Sequence, residues 1–219
     1  MRRTRLMLGV LAAVACAEPT GPSAQPFAVQ WVEWPAAVTA QKPGAVLVTY
    51  VDDFCSTLDL GVAADFPNVT VRSLTTRTNA PCPLASPIAL ILRDTLLPLP
   101  VLAAPYSVPV YYSMQATLSD AGFGDPTVRF LGPIQLAAVP DTTRYMAGTG
   151  TMLVDSLGCT ILAPGFGLSR TYAALNPPAL GGQARRALVG AHVVSGPIPS
   201  GCAGHRMVQL DYATVALIP

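Results

Sequence analysis

The residues able to carry chemistry in this 219-residue chain are few: two histidines, five cysteines and twelve acidic side chains, set among thirteen basic ones. A nucleophilic hydrolase needs an activated serine held by a base, but the chain has no Gly-x-Ser-x-Gly elbow and no strand–turn–helix context to strain one. His192 lies in an apolar run (Leu188, Val189, Val193, Val194), where a satisfied, partly buried imidazole is expected. His205 follows Gly201, Cys202, Ala203 and Gly204 and reads as a turn residue. Neither has an acid or nucleophile at a telling spacing.

Carboxylates give no dyad either. Glu33 is the sole glutamate of the folded part, and Asp52 and Asp53 are adjacent, so an extended backbone points them to opposite faces. Asp120 and Asp125 flank a glycine loop, but two carboxylates do not fill the six to eight oxygens that calcium takes. No cysteine pair has C-x-x-C spacing and the histidines stand apart, so no structural zinc and no other metal or cofactor is expected. Asn68-Val69-Thr70 matches a glycosylation sequon by pattern alone.

The clearest signal concerns destination. Arg2, Arg3 and Arg5 precede an uncharged apolar run from Leu6 to Ala15, the n-region and h-region of a secretory signal. That run is about half the ~20 residues a helix needs to span a bilayer. It closes on Ala13, Val14, Ala15 and Cys16, which resembles the lipobox of bacterial lipoproteins. The resemblance implies lipid on the Cys16 thiol, cleavage before it, and membrane attachment through that lipid. With Ala17 after the cysteine, residence in the outer membrane, facing the periplasm or the cell surface, is the expectation. Without the three signal arginines, ten basic residues face twelve acidic ones. Nucleic acid is not an expected partner, because nothing supplies the clustered positive charge that displaces counterions from phosphates.

Assigning Cys16 to lipid leaves Cys55, Cys82, Cys159 and Cys202, an even number that in an oxidising compartment points to two disulfides. Three pairings exist. Cys55 with Cys82 and Cys159 with Cys202 is preferred, because each pair then lies inside one of two domains.

Those domains come from the pattern that must position any site. After a signal over residues 1–15, residues 16–26 comprise the lipidated cysteine and a proline-rich tether. The chain then reads as β throughout, with 22 prolines, about twice average usage. Six strands are expected in residues 27–140: Phe27 to Glu33, Ala45 to Val51, Val69 to Leu74, Ile88 to Asp94, Val108 to Ala116 and Val128 to Leu136. Turns such as Pro43-Gly44 and Asp65 to Asn68 separate them, which suggests a two-sheet sandwich. The Pro43-Gly44 turn, Val46 to Val51, Cys55, and Val69 to Val71 before Cys82 resemble immunoglobulin-like modules of secreted bacterial proteins. Trp31 and Trp34 precede both cysteines, unlike the tryptophan of antibody domains.

Residues 141–219 carry five expected strands: Met146 to Val154, Gly158 to Leu162, Ser169 to Leu175, Ala187 to Val194 and Met207 to Leu217. Pro177 to Arg186 forms a turn or short helix between the third and fourth. In the last strand Val208, Leu210 and Tyr212 share a face while Val215 and Leu217 fall out of phase, which calls for a bulge near Ala213. Gly148 and Thr149, Cys159, Tyr172 and Leu175, Gly181 and Gly182, Leu188 to Val194, and Cys202 resemble small OB-like modules of bacterial lipoproteins. The expected fold class is thus all-β: an Ig-like β-sandwich followed by a C-terminal OB-like five-stranded barrel. The expected role is a lipid-anchored envelope protein of non-catalytic type, binding a protein or glycan partner. An envelope hydrolase with an unrecognised site and a secreted proteinase inhibitor are the alternatives.

Overall fold

A computed structural model describes residues 24–25, 29–40, 44–52, 56–65, 67–77, 91–100, 110–118, 127–138, 141–165 and 170–215. Cys16, Cys55, Cys82, Asp53, Asp120 and Asp125 lie outside them, as do the signal and most of the tether. Every element described is a β-strand: β1 (Ala24–Gln25), β2 (Val29–Pro35), β3 (Ala37–Val38), β4 (Ala45–Asp52), β5 (Ser56–Asp65), β6 (Asn68–Arg77), β7 (Ile91–Pro98), β8 (Val110–Leu118), β9 (Thr127–Leu136), β10 (Arg144–Val154), β11 (Thr160–Pro164), β12 (Tyr172–Ala174), β13 (Arg185–Val193) and β14 (Arg206–Val215). The all-β class is as expected.

The N-terminal strands curl into a half-barrel. β5 and β6 form an antiparallel hairpin, β6 lies parallel to β8, β8 runs antiparallel to β9, and β2, β4 and β7 form an antiparallel set. A bend at Ala36 hands the chain from β2, paired with β4, to β3, which lies parallel to β9. Period-two alternation points Val46 and Val48, Val69 and Val71, and Met114 and Ala116 into one core. The hairpin strand β5 is absent from the sequence expectation. Gly61, two alanines and two aspartates weaken its β signal, yet Leu60 and Val62 alternate correctly and pack on the core.

The C-terminal strands close a five-stranded barrel in the order β10-β11-β12-β14-β13 and back to β10, with β12 and β14 parallel and the other pairs antiparallel. This connectivity is compatible with an OB-like barrel. Met146, Met152, Leu162, Tyr172, Val189 and Leu210 fill it. Between β12 and β13 the chain turns without a helix, and Leu180, 6% exposed, inserts into the same core.

The bulge in β14 sits two residues from its expected position. Gly190 faces Tyr212 and Ala191 faces Leu210, so Asp211 is the extra residue. The phase switch brings Ala213 and Val215 to the core side but turns Tyr212 out, 45% exposed. Tyr212 therefore does not continue the inward row of Val208 and Leu210.

β2 belongs to both cores. All seven of its residues are buried. Val32 and Trp34 pack in the half-barrel, whereas Trp31 packs with the barrel residues and Glu33 bonds to Tyr172 of β12. On the edge of β10 opposite β13, β11 covers Gly150–Val154 and β2 covers Arg144–Gly148. A strand that precedes the expected 140/141 boundary thus fills a gap in the barrel wall beyond it. At the changeover Gly148 has φ +150°, and a Cβ there would come 2.1 Å from the Gln30 carbonyl oxygen and 2.7 Å from Trp31 Cα. Only glycine permits this approach.

Candidate functional site

Among the described residues, a concentrated set of polar side chains lies in the seam that β2 makes. Glu33, 4% exposed, receives at Oε1 the Tyr172 hydroxyl (2.6 Å) and the Trp31 indole N–H (3.2 Å). Arg170, just before β12, places Nε 3.0 Å from the same oxygen; this contact is an ion pair without the alignment of a hydrogen bond. Its other nitrogens reach across to the half-barrel, Nη1 to Asp94 Oδ2 and Nη2 to Thr49 Oγ1, both at 2.9 Å. The Thr49 hydroxyl in turn donates a hydrogen bond to Asp94 Oδ1 at 2.6 Å.

A buried carboxylate is tolerable only when paired and hydrogen-bonded, and this one has three partners. Burial, followed by the charge of Glu33, raises the Tyr172 phenol above its ordinary pKa, and Arg170 and Arg206 oppose the shift. Two further arginines cross the seam. Arg144 Nη2 approaches the Ala45 carbonyl at 3.3 Å, and Arg186 donates to the Gly165 carbonyl (2.6 Å) and to Gln30 Oε1 (3.2 Å). Burial lowers the Arg186 pKa. A small recess at the mouth of the network is lined by Thr49, Leu92, Asp94, Pro164 and Arg170. Chemically the set is a latch. Its acid is shielded from solvent and its arginine is committed to both sides of the seam.

The second set is on the surface. The bulge at Asp211 aims its carboxylate at His192, Nδ1 to Oδ1 2.9 Å, with side-chain exposures of 29% and 44%. Sequence spacing hides this acid, because residues 192 and 211 lie on neighbouring strands of a ladder whose register the bulge shifts. The Tyr145 ring stands 5.8 Å from the imidazole, and Trp34 stacks on Tyr145 at 5.9 Å. His205 contacts Thr171 Oγ1 at 2.9 Å through Nδ1 and so ties the end of the β13–β14 loop to the start of β12.

The third feature is the braced pair of barrel loops. Cys159 and Cys202 are joined, with sulfurs 2.02 Å apart, linking the β10–β11 loop to the β13–β14 loop. Asp155 folds the first loop by accepting from the N–H groups of Leu157 (2.9 Å) and Cys159 (2.8 Å). The two sulfurs pack with Ile161, Ala173 and Met207 in a separate small core outside the barrel. Oligonucleotide- and oligosaccharide-binding OB folds use these loops and the neighbouring strand face. Here that ground is stapled and partly filled by the chain itself, while Leu157 (70%) and Ile198 (52%) remain exposed.

Among the described residues no group of three or more His, Cys, Asp or Glu side chains could hold a metal ion. The latch was missed in sequence because its members come from β2, β4, β7 and the approach to β12; the lone Glu33 was the only local hint. Compared with protein families, curated proteins and solved structures, the chain matches none.

Proposed function

We propose that this chain is an exported protein of the bacterial cell envelope, held to the membrane by lipid on Cys16, and that its β units act as a non-catalytic binding module for a protein or glycan partner. In this proposal the half-barrel is immunoglobulin-like, by the pattern around Pro43 to Val51, and the barrel is OB-like, which its strand order supports. The outer membrane is its favoured location. The observation that carries the binding reading is the fate of Glu33: the one buried acid among the described residues is consumed by Trp31, Tyr172 and Arg170. A disulfide between Cys159 and Cys202 fits an oxidising compartment.

Labelling of the full chain with radioactive palmitate in a bacterial host tests the anchor. The label is expected on the native chain and not on Cys16→Ala; equal labelling of both removes the anchor from the proposal. A hydrolase is the second reading, and the His192–Asp211 pair is what favours it, since such a pair orients an imidazole as a base. Ester hydrolysis by the full chain that disappears in His192→Ala would put that reading first.

A further inference from the structure

The outward face of β13 and β14 sets a phenol, a carboxylate and an imidazole side by side. The bulge leaves Asp211 and Tyr212 projecting together from this face, beside His192. Gly190 opposite Tyr212 has no side chain, and the ring occupies that space: a Cβ at position 190 would stand 2.1 Å from Tyr212 Cε1 and 2.6 Å from Cζ. One face of the phenol therefore rests on the strand, and the side chain keeps its exposure toward solvent. The imidazole is fixed by Asp211 on one side and flanked by the Tyr145 ring on the other. Asn176 pins the preceding residue, Leu210, by both backbone groups, which holds the bulge in place.

We propose that this face is a saccharide-binding platform. A pyranose presents a patch of polarised C–H bonds, which complements the negative face of an aromatic ring, and a rim of hydroxyls that each donate and accept. Tyr212 supplies the ring. Asp211 supplies an acceptor, and His192 supplies its second ring nitrogen, in an orientation set before the ligand arrives. Nucleic acid fits poorly, because a carboxylate beside the ring repels phosphate and the face lacks the basic groove that single strands need. The site is built on strands β13 and β14, not on the stapled loops, and deepens the binding-module reading, on which it rests, by naming the ligand class.

The test is calorimetric titration of the full chain in detergent with chitohexaose, cellohexaose and maltohexaose. Binding of at least one is expected. Tyr212→Leu, which keeps an apolar cover over Gly190 but has no ring, should weaken that binding about tenfold, a loss of about 1.4 kcal/mol. Tyr212→Phe should restore it, and Leu157→Ser on the braced loop should leave it unchanged. Undiminished binding by a folded Tyr212→Leu overturns the face and leaves the binding-module reading standing. Binding of none of the three by the native chain overturns the ligand class. New reducing ends during the titration would overturn the non-catalytic reading beneath it.

Discussion

Asn176 holds Leu210 by both of its backbone groups, Nδ2 donating to the carbonyl oxygen at 3.0 Å and Oδ1 accepting from the N–H at 2.9 Å. The side-chain amide thereby continues the parallel β12–β14 ladder two residues past its last pair, Ala174 with Val208, just where Pro177 begins to turn the chain away. Asn176→Ala leaves the part-buried N–H and carbonyl of Leu210 to be met by water and should cost about 1 kcal/mol. Asn176→Asp keeps the acceptor but sets a second oxygen against the Leu210 carbonyl, so it should cost at least as much. Urea denaturation followed by circular dichroism measures both, and equal stability of native and Asn176→Ala chains would discard the pinning role.

Removing the acid of the latch should be more costly. Glu33→Ala leaves the Tyr172 hydroxyl and the Trp31 indole N–H without their buried acceptor and Arg170 without its buried counter-charge, and a loss of about 3 kcal/mol is expected. Glu33→Gln keeps an oxygen for Tyr172 and Trp31 while Arg170 retains Asp94 and Thr49, so roughly half that loss is expected. The same denaturation assay ranks the two; a Gln variant as weak as the Ala variant would mean that charge, not hydrogen bonding, dominates.

Alkaline behaviour follows from Tyr172. Its folded pKa is raised, by burial first and Glu33 second. The sign is that of a group holding its proton more tightly when folded: the stabilisation is complete below the unfolded value of about 10 and is lost as pH rises from there through the folded value. Absorbance at 295 nm should show one phenol that ionises only as the chain unfolds. Tyr172→Phe should abolish that late component. A spectrum in which every tyrosine titrates together near the ordinary value contradicts the prediction.

The disulfide offers a fourth check. Cys159 and Cys202 are 43 residues apart, and closing a loop of that size stabilises by about 4 kcal/mol in the chain-entropy model. The double variant Cys159→Ala, Cys202→Ala should lose a comparable amount and expose Ile161 and Met207 to hydrophobic dyes. Unchanged melting would show that the small outer core holds without its staple.

Strand positions were legible wherever apolar residues alternated strongly, as at Val46 and Val48 or Val69 and Val71, because burial on one face writes itself at period two. The parity change in β14 also announced a bulge. Its exact place was not legible, since either side of Tyr212 restores the phase and only the ladder with Gly190 decides. β5 was hidden by its small and acidic residues. The latch was unreadable for a different reason: Glu33, Thr49, Asp94 and Arg170 meet only through tertiary packing, and no local pattern marks a charge that a distant strand will neutralise. The double burial of β2 left a trace in Val29-Gln30-Trp31-Val32-Glu33-Trp34, where large residues occupy both parities.

β2 also sets an order of events in time. Its partners in the barrel are made late: Glu33 waits 139 residues for Tyr172 and 111 for Arg144. Contacts of such separation form slowly, because the loop entropy must be surrendered before the contact repays it. Until β2 arrives, Gly148 has no backbone to meet and the Arg144–Gly148 edge of β10 is open, a ready template for another chain's strand. β2, made long before its partners in the barrel, is therefore the strand that seals the barrel wall, and the interval between its synthesis and theirs is when this protein is most exposed to mispairing.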